Sequence, residues 1–68
     1  MGDNQIEKLV HESNDLSRSI RTASRELLHS LKDDDWLRAY ALAEMIFSDA
    51  CKVKMNAMRI AKDAHNSG

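Results

Sequence analysis

Few residues of this chain have a type and a spacing that chemistry requires. Cys51 has no second thiol to pair with, and the three histidines, His11, His29 and His65, are scattered rather than grouped at metal-ligand spacing. Ser13, Ser17 and Ser24 recur on one side of a helical pattern, but no acid-base partner is spaced to activate them. They read as small spacers at a helix crossing, bonded to their own backbone. The acidic run Asp33, Asp34 and Asp35 is better placed to complement the start of a helix than to hold a cation. A phosphate-cradling loop is excluded because the two glycines stand at the termini. These residues predict no catalytic site, no bound cofactor and no metal.

A basic stripe is the strongest charge pattern. Arg18, Arg21, Arg25 and Lys32 lie on one side of a helix at i, i+3, i+7 and i+14, opposed mainly by Glu26 on the other flank. Such a stripe can follow a phosphate backbone or form an ordinary solvated face. No aromatic residue interleaves with it to stack on bases. The net charge of -1 argues against a generic nucleic-acid or membrane binder.

The element that positions everything else runs from Trp36 to Ala64. Trp36, Ala43, Ala50, Ala57 and Ala64 repeat every seven residues, and so do Ala39, Ile46, Val53 and Ile60. Two offset heptad series form the contact seam of a long helix. Ala39, Ala43, Ile46, Ala50, Val53, Ala57 and Ile60 are the candidate seam residues, and Ala50 or Ala57 enlarged to Leu should overpack it. Tyr40, Phe47, Cys51 and Met58 form a second apolar row about a third of a turn away. So wide an arc needs two neighbours, and the chain supplies only one more helix. The second neighbour is expected to come from another copy.

That other helix is read from about residue 4 to 32, with Ile6, Leu9, Val10, Leu16, Ile20, Ala23, Leu27, Leu28 and Leu31 as its apolar positions. Asp3 and Asn4 are its candidate N-caps, and Asn4 with Glu7 resembles a capping box. Ser13, Asn14 and Asp15 favour caps and turns, yet the heptad phase passes through them unbroken, so a continuous helix is preferred over a hinged one. His29 and Lys32 suit its last turn. Lys32 to Asp35 is the only place for a reversal, with Asp33, Asp34 and Asp35 expected in the first turn of the second helix, about residues 35 to 65, and one of them as its N-cap.

The 68 residues therefore predict one all-α domain, an antiparallel two-helix hairpin that homodimerises into a four-helix assembly. The lone thiol falls on the apolar second row, where a buried, inert cysteine is expected, and points to a reducing compartment. The lack of a long apolar run or a signal-like start predicts a cytoplasmic protein with no membrane partner. Leu37, Ala41, Met45 and Met55 lie outside the main apolar arc and Trp36 sits at the tip. These five are the candidate partner-binding residues.

Two long helices, a tight turn containing Asp, and an alanine-bearing heptad seam over nearly the whole chain resemble the Rop-type RNA-binding hairpins. The chain is also similar in size and design to small phage-encoded hairpins that bind and inhibit host proteins, among them anti-activators of transcription regulators. The second resemblance implies a non-enzymatic regulator that docks on a protein of unknown identity. The first implies a hairpin dimer that touches RNA or DNA, here through the arginine stripe.

Overall fold

A computed structural model describes the backbone of residues 2–67 and the side chains of residues 5–65. The described residues form two helices and no strand: α1, Gly2–Lys32, and α2, Trp36–Ser67. They lie side by side as a rod of 50 × 14 × 13 Å. Helix over this length follows from good helix formers and the absence of proline or internal glycine. Continuity through Ser13, Asn14 and Asp15 holds: α1 does not break there. The capping roles assigned to Asp3 and Asn4 lie outside the described side chains, as do Asn66, Ser67 and Gly68.

The reversal is made without glycine. Asp34 takes φ 57°, the left-handed conformation that terminates helices and that Asp tolerates better than most residues. The Asp35 amide donates to the Ser30 carbonyl at 2.8 Å and the Asp34 amide to that of Leu31 at 3.3 Å. This paired closure satisfies carbonyls that the end of α1 would otherwise leave open. Asp35 then caps α2, its Oδ1 accepting from the Arg38 amide at 3.2 Å. The three aspartates thus make the turn and the cap, and none enters the first turn of α2, contrary to expectation.

The seam between the helices uses a 3–4 spacing on each. On α1 it runs Ile6, Leu9, Ser13, Leu16, Ile20, Ala23, Leu27 and Ser30; on α2 it runs Ala39, Leu42, Ile46, Asp49, Val53, Asn56 and Ile60, all buried or half-buried. Ala39, Ile46, Val53 and Ile60 therefore lie where the sequence pattern put them. The row beside them is Leu42, Asp49 and Asn56 rather than Ala43, Ala50 and Ala57, which are exposed on this hairpin. Both rows offer a heptad to the common series. Leu42 brings more apolar surface than an alanine, and Asn56 is admissible because α1 satisfies its amide.

Candidate interaction surfaces

The two edges of the hairpin differ. Polar side-chain contacts join the helices along one edge, where α1 presents Glu12 and Glu26. Asn56 Nδ2 donates to Glu12 Oε1 at 2.7 Å and to Ser13 Oγ at 3.2 Å. Nearer the turn, Arg38 Nη2 meets Glu26 Oε1 at 3.0 Å, a half-exposed ion pair worth about 0–1 kcal/mol. An open groove on this edge is lined by Arg18, Thr22, Glu26, Leu42 and Met45. Glu26 is thus engaged by α2 on the flank of the arginine stripe, where it shares the groove with Arg18.

The other edge is apolar. Ala43, Ala50 and Ala57 on α2 face Ser17 and Ser24 on α1, and all five are exposed. Flanking them are Val10, Leu28 and Leu31 from α1 and Trp36, Tyr40 and Phe47 from α2, every one exposed, with Phe47 at 72%. Ser17 and Ser24 are therefore not spacers in the crossing within the chain. Ser13 is, and its hydroxyl accepts from Asn56 across the seam. Cys51 is exposed too, not buried as its row suggested, because no second helix of this chain reaches that face.

The sequence-derived partner-binding residues are all exposed but do not form one patch. Trp36 and Leu37 stand together at the turn, Leu37 being 84% exposed. Met45 belongs to the groove on the polar edge, while Ala41 and Met55 lie on the outer back of α2. Arg18, Arg25 and Lys32 line the outer back of α1, and Arg21 stands on the adjoining row with Leu28, toward the apolar edge; all four basic residues are exposed. Arg18 approaches Asp15 at 3.8 Å, one turn away on the same helix.

Among the described residues no group of His, Cys, Asp and Glu is arranged to hold a metal ion, and no helix is long and apolar enough to cross a membrane. No family model, curated protein or solved structure matches the chain.

Proposed function

We propose that the chain is a small non-enzymatic regulator that works as a homodimer and binds a protein partner, which it inhibits or sequesters. The observation that supports this reading is the apolar surface the hairpin leaves unused. Ten large hydrophobic side chains are exposed among the described residues, while the buried apolar ones number three: Ala23, Ala39 and Leu42. Exposed apolar area on this scale is relieved by association. Self-association takes the alanine edge. Leu37, Ala41, Met45 and Met55 serve the partner, which Met side chains suit as adaptable contacts, and Trp36 at the tip lies where the two surfaces meet.

The test is to replace Leu37, Met45 and Met55 together by polar residues, after the partner has been recovered with the immobilised native chain and identified by mass spectrometry. The variant should remain a folded dimer and lose that partner. Retained binding would place the interface elsewhere.

A Rop-like nucleic-acid role is the second reading, favoured by one observation: the outer back of α1 and the row adjoining it present Arg18, Arg21, Arg25 and Lys32, all exposed. Salt distinguishes the two. Binding through phosphates weakens by orders of magnitude between about 50 and 200 mM salt when several contacts are made, whereas an apolar protein interface barely responds.

A further inference from the structure

The hairpin exposes 5630 Å². A folded monomer of 7.7 kDa is expected to expose only about 4,300 Å². The surplus of roughly 1,300 Å² arises because each helix of a two-helix rod is covered on one side alone, and it exceeds the ~800 Å² per chain that a standard interface removes. A second rod laid on the apolar edge supplies that cover. The edge is also in the right place: its rows on α2 lie about a quarter turn from the hairpin seam at ~100° per residue, the separation a four-helix bundle needs.

We infer that this edge mates with the same edge of a second copy in antiparallel fashion, each aromatic residue of α2 seating over an alanine of the partner's α2. The inference rests on the self-association proposed above and adds its face, direction and register. The sequence is self-complementary about a two-fold axis crossing α2 between Ser48 and Asp49. That axis sets Trp36 against the partner's Ala61, Tyr40 against the partner's Ala57, and Phe47 against the partner's Ala50. Large side chains meet small ones at each of these levels, which is how facing helices interdigitate without voids. The remaining level pairs Ala43 with the partner's Lys54, whose ammonium then reaches the partner-facing Glu44 at the rim, an opposite charge. A parallel pairing would instead stack Phe47 on Phe47 and Lys54 on Lys54.

The first helix agrees independently. Asn56 lies level with Glu12 and Ser13 in the hairpin, so Asp49, seven residues back along α2, is level with Ser19 or Ile20 of α1. The axis between Ser48 and Asp49 is then level with Ile20, and it brings Val10 within about one residue of the partner's Leu31, two exposed apolar residues of α1 that flank this edge. One axis therefore satisfies both helices.

The test is an exchange of knob and hole. Phe47 and Ala50 are exposed on the hairpin, so changing them leaves its own seam intact. Phe47→Ala leaves a cavity and Ala50→Phe a clash, and each should raise the dimer dissociation constant at least about tenfold in sedimentation. The double variant Phe47→Ala/Ala50→Phe should return to within about threefold of the native value. A second measurement covers the case in which a single variant fails to fold: nitroxides on the turn, at Asp33→Cys in a Cys51→Ser background. Antiparallel mating places the two turns at opposite ends, separated by nearly the 50 Å length of the rod. A dimer whose turns lie together, or whose double variant is no tighter than the weaker single one, overturns this arrangement while leaving self-association standing. A native chain that sediments as a folded monomer overturns self-association itself.

Discussion

At the scale of single residues, the turn and Asn56 bear the most specific consequences. Asp34 holds the left-handed conformation that glycine adopts without steric penalty. Asp34→Gly should therefore stabilise the fold by about 0.5–1 kcal/mol, the relief being partly offset by the freer unfolded chain. Urea unfolding with an unchanged slope checks this, and a fall in midpoint would refute it. Asn56, 7% exposed, donates to both Glu12 and Ser13 across the seam. A double-mutant cycle on Asn56→Ala and Glu12→Ala should return a coupling of about 1 kcal/mol, as a part-buried bond to a carboxylate does. Additive losses would mean that the bond contributes nothing. Neither role was legible in the sequence. Asn56 stands among Lys52, Lys54 and Arg59 and reads as surface, and only the level of Glu12 opposite it shows why it is admitted. Asp34 stands among three equivalent aspartates, and which of them takes the positive φ depends on where α1 ends.

At the scale of the elements, both helices and the reversal between them were legible, because helix formers, heptad spacing and the lack of proline all agree. The choice of seam row was not. The series Ala39, Ile46, Val53 and Ile60 is flanked by alanines on one side and by Leu42, Asp49 and Asn56 on the other, and hydropathy alone favours the alanines. The hairpin takes the opposite side, where Leu42 is one of three buried apolar residues among those described. Leu42→Ala should cost about 2–3 kcal/mol, toward the lower end for a buried leucine because water can reach part of the space vacated. Thermal unfolding at fixed protein concentration measures it, and a shift near zero would return the seam to the alanine row. The same choice explains why Cys51, Tyr40 and Phe47 are exposed on the hairpin: their face of α2 has no neighbour within the chain.

At the scale of the whole molecule, the rod presents three surfaces with different chemistry: an apolar alanine edge, a polar edge with a groove, and the basic back of α1. If a protein is the target, Arg18, Arg21 and Arg25 act at long range, so replacing all three by Ala should slow association several-fold and leave dissociation nearly unchanged. Stopped-flow binding separates the two rates. Complete loss of binding would favour the nucleic-acid reading. All of these roles presuppose that the alanine edge is covered by a second copy. Sedimentation equilibrium of the native chain at micromolar concentration tests that most directly. The expected result is a species of twice the 7.7 kDa chain mass, while a folded species at the chain mass itself would contradict the account.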